Sequence, residues 1–124
     1  MTLAFTLELF CSFFLMYVVL KSVWDERVPK NIYGFVIAGY YAAISIAFAR
    51  ISGGSMNPAR VVGPAIFSGQ IVDLWIYIAG PIIGCILGSM FYRVAHLENN
   101  RRLAETEQQT DLIMLKPLEV ETTF

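Results

Sequence analysis

Apolar positions fall in three long runs, and the absence of charge, not an amphipathic stripe, defines them. Between Leu3 and Leu20 the only ionisable groups are Glu8, Cys11 and Tyr17. Between Ile32 and Ala49, and again between Leu74 and Tyr92, there is no Asp, Glu, Lys, Arg or His. Each run is about the length that crosses a ~30 Å hydrocarbon core as a helix, roughly 20 residues. A soluble core helix is seldom apolar on every side. The runs therefore predict membrane spans at about 4–23, 32–49 and 75–94. The polar connection Trp24-Asp-Glu-Arg-Val-Pro-Lys-Asn31 separates the first two, with Pro29 supporting a break. The first run lacks a basic leading segment and a small-residue cleavage site, so it reads as a permanent span, not a signal peptide.

The stretch from Arg50 to Asp73 is too polar and too rich in Gly and Pro for a plain span. Within it Pro58 to Phe67 is mostly apolar. Ten helical residues cover ~15 Å, about half a bilayer, so 58–67 is either a short surface helix or a re-entrant half-helix. From Leu97 the chain turns polar, which predicts a membrane part at 1–96 and a solvated tail at 97–124, helical near the membrane or loosely ordered. Within that tail Leu112-Ile-Met-Leu115 is a weaker candidate for a partner-docking patch.

Composition agrees with lipid as the surrounding partner: 56% of residues are hydrophobic and 15% charged, against about a quarter charged in soluble domains. The net charge of −1 and the lack of a basic patch give no reason to expect nucleic acid. Cys11 and Cys85 lie inside apolar runs without metal-ligand spacing and read as free thiols, so no metal or cofactor is expected. Lys21 at the end of the first span lies with Arg27 and Lys30 around the first connection, and Arg93 at the end of the third span is followed by Arg101, Arg102 and Lys116. The excess of positive charge places both on the cytoplasmic side. Two ladders of small residues, Gly80/Gly84/Gly88 and Gly39/Ala43/Ala47, have the four-residue spacing that lets helix backbones approach closely in lipid.

Candidate chemistry concentrates in Ser52-Gly-Gly-Ser-Met-Asn57-Pro-Ala-Arg60. Asn is a preferred N-cap and Pro suits the first helical position, so Asn57-Pro58 starts a helix. That start carries unpaired N–H groups and a positive dipole end, which at mid-membrane repels cations and orients a polar solute. Non-helical backbone at that depth is tolerated where it is buried in protein or lines a wet cavity. Arg60 is expensive inside an apolar, membrane-length region and is functional by default. One turn into a re-entrant helix it faces a narrow aqueous path, donates hydrogen bonds and opposes cations and protons.

Gly53-Gly-Ser-Met-Asn57-Pro58-Ala59-Arg60, followed by Gly63-Pro-Ala65, resembles the second Asn-Pro-Ala loop of the aquaporin, or major intrinsic protein, family. Leu74-Trp-Ile-Tyr77 with Gly80-Pro81 resembles that family's last helix, and Thr6-Leu-Glu-Leu9 with Ser12-Phe-Phe-Leu-Met16 its fourth. The resemblance covers roughly residues 4–94 and is nearest to the plant nodulin-26-like intrinsic proteins. It implies an all-α membrane protein holding one repeat, three transmembrane helices plus a re-entrant half-helix. It implies that Glu8 braces the pore loop and that Ser45, Gly54 and Arg60 occupy three of four selectivity-filter positions. Ser, Gly and Arg there are similar to the wide-filter subgroup associated with silicic acid, with boric and arsenous acids implied too. Small Ser45 and Gly54 are expected to leave room beside Arg60 for a neutral polyhydroxyl solute. Val61 and Val62 after the arginine, and Arg50, depart from the family's usual small or polar residues.

The implied activity is a passive channel, or half of one, for small uncharged solutes: metalloid hydroxy acids first, then glycerol or urea, then water. Family channels carry two inverted repeats, and one is expected here. The chain is expected to be a fragment or truncated form of a full channel, to pair with a separate first-half repeat or an inverted copy of itself, or to join full-length subunits without conducting. A homotetramer in the plasma membrane is implied for the complete assembly. No enzyme is expected: His96, the sole histidine, has no evident nucleophile or metal partner, and Glu8 and Asp73 are not spaced as a catalytic pair.

Overall fold

The computed structural model describes residues 1–25 and 27–121, with side chains as far as Met114. Glu26 in the first connection, the side chains of Leu115 and Lys116, and the end of the 97–124 segment lie outside the described residues. Those described form four helices and no strand: α1 (Thr2–Trp24), α2 (Tyr33–Phe48), α3 (Pro58–Ser68) and α4 (Leu74–Glu121). Two stretches, Thr2–Trp24 and Leu74–Met114, are long and apolar enough to cross a membrane, whereas Tyr33–Phe48 is a shorter apolar helix. The chain divides into two compact units, 1–92 and the segment from Arg93 onward.

In the first unit α1 carries the packing. Gly80, Gly84 and Gly88 of α4 lie against its backbone. A Cβ at Gly84 would overlap the Leu9 carbonyl and one at Gly88 the Phe13 carbonyl, while one at Gly80 would meet the Glu8 Cβ at 3.2 Å. This is close backbone approach through small residues, the packing lipid favours when helices gain nothing by leaving water. Aromatic pairs flank the ladder, with ring centroids 5.7 Å apart for Phe5–Trp75 and 6.0 Å for Tyr17–Tyr92. On α2, Tyr40 Oη donates to the Cys11 carbonyl at 2.9 Å. The second ladder behaves differently. Gly39, Ala43 and Ala47 are exposed, and nothing in the unit lies within 4 Å of where a Gly39 Cβ would stand. Equal spacing marks two faces of small residues, of which one is used here.

Much of the apolar surface is outward. Phe67 is 96% exposed and Phe35 85%, an arrangement costly in water and ordinary against lipid or another subunit.

In the segment from Arg93 the helix, expected near the membrane, continues as α4 to Glu121. No Gly or Pro stands between Gly88 and Pro117, and Ala, Leu, Glu, Gln and Arg are good helix formers. Arg102 lies 3.8 Å from Glu98 one turn back. The hydroxyls of Thr106 and Thr110 donate to carbonyls four residues earlier, at 2.8 and 2.9 Å. Leu112, Ile113 and Met114 are exposed on it.

Candidate functional site

The connection from α2 to α3 folds back against α1 and α2 instead of lying on the surface. Three amides, of Ile51, Ser52 and Gly53, converge on the Phe48 carbonyl at 3.0–3.1 Å and close off α2. Three positive φ angles then follow in four residues: Gly53 (79°), Gly54 (53°) and Met56 (48°). Glycine takes this conformation freely, whereas Met56 is strained by it. Met56 is nevertheless 3% exposed and fixed, because Glu8 holds its amide.

Glu8 is fully buried. Its Oε1 accepts from the Ser55 amide at 3.0 Å and its Oε2 from the Met56 amide at 2.7 Å. Two adjacent backbone donors that no helix or sheet serves are thus satisfied by one carboxyl group from α1. Unsatisfied, they would carry the full cost of buried, unpaired N–H groups.

α3 then starts at Asn57. Its Oδ1 accepts from the Ala59 amide at 3.0 Å, its own backbone is extended, and Pro58 occupies the first helical position. The side chain thus caps one of the orphan donors of the helix start. Gly69 ends α3 in the left-handed conformation at φ 71°. At eleven residues α3 is about 16 Å long.

Arg60, one turn into α3, is exposed, and its Nη1 donates to Tyr41 Oη of α2 at 3.0 Å. The guanidinium carbon sits 5.3 Å from the Tyr41 ring centroid, within cation–π range. Tyr41 Oη donates in turn to the Ser55 carbonyl at 2.5 Å. Ser45, one turn further along α2, donates from Oγ to the Gly54 carbonyl at 3.3 Å. Its proton is therefore directed at the loop, and its lone pairs remain for a donor from elsewhere.

Gly54 has a different reason to be glycine from the one the sequence suggests. A Cβ there would stand 2.9 Å from the Ile44 carbonyl oxygen and 3.0 Å from the Ser45 Cα. The missing side chain lets the loop backbone press onto α2 and does not by itself widen open space.

Ser45, Gly54, Asn57, Pro58, Ala59, Arg60 and Glu8 thus belong to one constellation around the loop. Gly80, Gly84 and Gly88 belong to the α1–α4 contact instead. Tyr41 is a member that sequence reasoning passed over, and Ser55 and Met56 stood inside the quoted motif with no role assigned to them. For Tyr41 a signal existed, a polar aromatic one turn before Ser45 in a charge-free run; for Met56 there was none. A cavity of about 670 Å³ lies beside the loop, α3 and the start of α4, lined in part by Ser52, Arg60, Gln70, Asp73 and Tyr77. Among the described residues no three His, Cys, Asp or Glu side chains gather where a metal could be held.

On the first connection, the Asp25 carboxylate takes two bonds from the Arg27 side chain, at 3.0 and 3.1 Å, one from the Arg27 amide at 3.0 Å, and Lys21 at 2.5 Å. The Arg27 hydrogen bonds first, then Lys21, hold Asp25 well below the usual carboxylate range.

Comparison with known proteins gives a family match, described as Major intrinsic protein, over residues 1–92. Aquaporin NIP1-1 of Zea mays is 31% identical over 107 residues, which is 86% of this chain and 38% of that protein. Aquaporin NIP1-3 of Oryza sativa subsp. japonica is 39% identical over 89 residues, covering 71% and 31%. Nodulin-26 of Glycine max is 32% identical over 110 residues, covering 89% and 40%. The chain spans between about a third and two fifths of the length of these curated relatives.

Proposed function

Because this chain belongs to the major intrinsic protein family, we propose that it builds one side of a passive membrane channel for small uncharged solutes. The observation that carries this reading is the start of α3. A capped helix tip at Asn57, with the Arg60 guanidinium one turn on, is held against α1 by the buried Glu8 carboxyl group. Such a tip presents N–H dipoles to a solute and opposes cations, and Arg60 adds donors and positive charge at the same point. The exposed Arg60, together with the outward ladder of Gly39, Ala43 and Ala47, calls for a second wall. A first-half repeat or a full-length subunit of the family supplies it, within a tetramer.

Among solutes, silicic, boric and arsenous acids rank first, then glycerol or urea, then water. Ser45 is small, its lone pairs are free to accept, and Arg60 donates, which suits a neutral molecule bearing several hydroxyls. The basic residues of the first connection and of the segment after Tyr92 favour a cytoplasmic position for both, in the plasma membrane.

Uptake of silicic acid by proteoliposomes holding the chain, alone and with a family first-half repeat, tests this. Faster uptake than in empty vesicles, with Ser45→His shifting the preference towards water, is expected. Equal uptake with and without protein in every combination, beside an active family control, overturns the channel. Altered flux only when a full-length channel is co-reconstituted would instead make the chain a non-conducting regulatory subunit.

A further inference from the structure

We propose that Tyr41 is a positioning residue for Arg60, and through it a determinant of which solutes pass; this second part rests on the channel reading above.

Among the described residues, Tyr41 is the only hydrogen-bond partner of the Arg60 guanidinium, at 3.0 Å. The phenol carries one proton and spends it on the Ser55 carbonyl. It therefore meets Arg60 as an acceptor, the role a guanidinium with only donors requires. The ring adds a face 5.3 Å from the guanidinium carbon, so hydroxyl and ring both restrain a side chain otherwise free to swing. Tyr41 and Ser45 are four apart on α2 and share one face. That face grips two successive loop carbonyls, Ser55 and Gly54.

The backbone of Ser55 is consequently held from two sides. Its N–H goes to Glu8 of α1 and its C=O to Tyr41 of α2. Arg60 is thus tied, through one phenol, to the same residue that Glu8 anchors. One of its donors is withdrawn from solute and the others are aimed. A solute must fit the donors that remain, so the hydroxyl of Tyr41 acts on selectivity without touching the solute.

Tyr41→Phe removes the hydroxyl while keeping the ring and nearly all the volume. Two readouts test it in the full-length chain in lipid. The first is modification of Arg60 by phenylglyoxal, followed by peptide mass spectrometry with Arg50 as internal reference. Loss of a hydrogen bond to a charged group is expected to speed labelling of Arg60 about tenfold while Arg50 is unchanged. The second is the ratio of silicic acid to urea uptake, expected to fall at least about threefold on the same ground. Were Tyr41 only a packing residue, Tyr41→Phe would match wild type in both and Tyr41→Leu alone would differ, which overturns the proposal. Faster labelling with an unchanged uptake ratio in a conducting assembly overturns the selectivity part. Absence of conduction by the wild type removes the channel reading, while the labelling still decides whether Tyr41 holds Arg60.

Discussion

Replacing Glu8 by Gln keeps the size and shape of the side chain and removes one acceptor. In the native arrangement two oxygens receive two amides, Ser55 at 3.0 Å and Met56 at 2.7 Å, with the carboxyl group wholly buried. The amide of Gln offers one oxygen and one NH2, so one of the two backbone donors faces another donor. A buried N–H left unpaired costs about 1–3 kcal/mol. Met56 adds to the load, since its φ of 48° persists only while the surroundings impose it. Taking about 2 kcal/mol as the loss, the loop opens roughly 30-fold more often, because about 1.4 kcal/mol is a factor of ten. Hydrogen exchange of the Ser55 and Met56 amides in detergent or nanodiscs reads this directly. The Ala59 amide, capped by Asn57 and not by Glu8, serves as reference. Exchange at Ser55 and Met56 accelerating less than about threefold, or no more than at Ala59, would refute the claim that Glu8 holds the loop.

Gly84→Ala forces a Cβ against the Leu9 carbonyl and is expected to destabilise the α1–α4 contact by about 1–3 kcal/mol in unfolding from micelles. Gly39→Ala has open space and is expected to leave the chain's own stability unchanged or slightly raised; equal losses in the two variants would contradict the packing. Asp25 has a depressed pKa, so its clamp contributes fully above the ordinary carboxylate value and is lost only as pH falls through the lower one. A carbon-13 titration should find Asp25 still ionised at about pH 3.9, and a midpoint at or above that value would count against the clamp.

The all-helical membrane class was legible because absence of charge over 18 or so positions is a coarse signal that survives ignorance of contacts. The α3 start was legible for the opposite reason: an Asn-Pro cap is a purely local device. Pairings across distance were not legible from pattern. Glu8 meets its donors 47 and 48 positions away; no periodicity encodes that, and it was the family resemblance alone that implied Glu8 braces the loop. Spacing named two small-residue ladders but could not say that Gly84 meets backbone while Gly39 meets nothing within the unit. Gly54 is the subtler case. Sequence reasoning ties its small size to the solute, as room beside Arg60 and as close approach of the loop backbone, whereas the approach of the loop to Ile44 and Ser45 supplies another purpose. Tyr41 escaped because its one signal, a polar aromatic one turn before Ser45, does not separate a hydrogen-bonding tyrosine from a packing one until its hydroxyl has partners. How far α4 continues past Leu97 escaped, because polarity reports solvation, not backbone conformation.

The order of the Glu8 contact along the chain bears on biosynthesis. The acceptor is synthesised first and the donors 47 and 48 residues later, and translation proceeds at about 5–20 residues per second. For several seconds α1 therefore waits in the bilayer with its carboxyl group unmatched. The later segment then has a ready anchorage on entering lipid, so its backbone need never be stranded there while a partner is made.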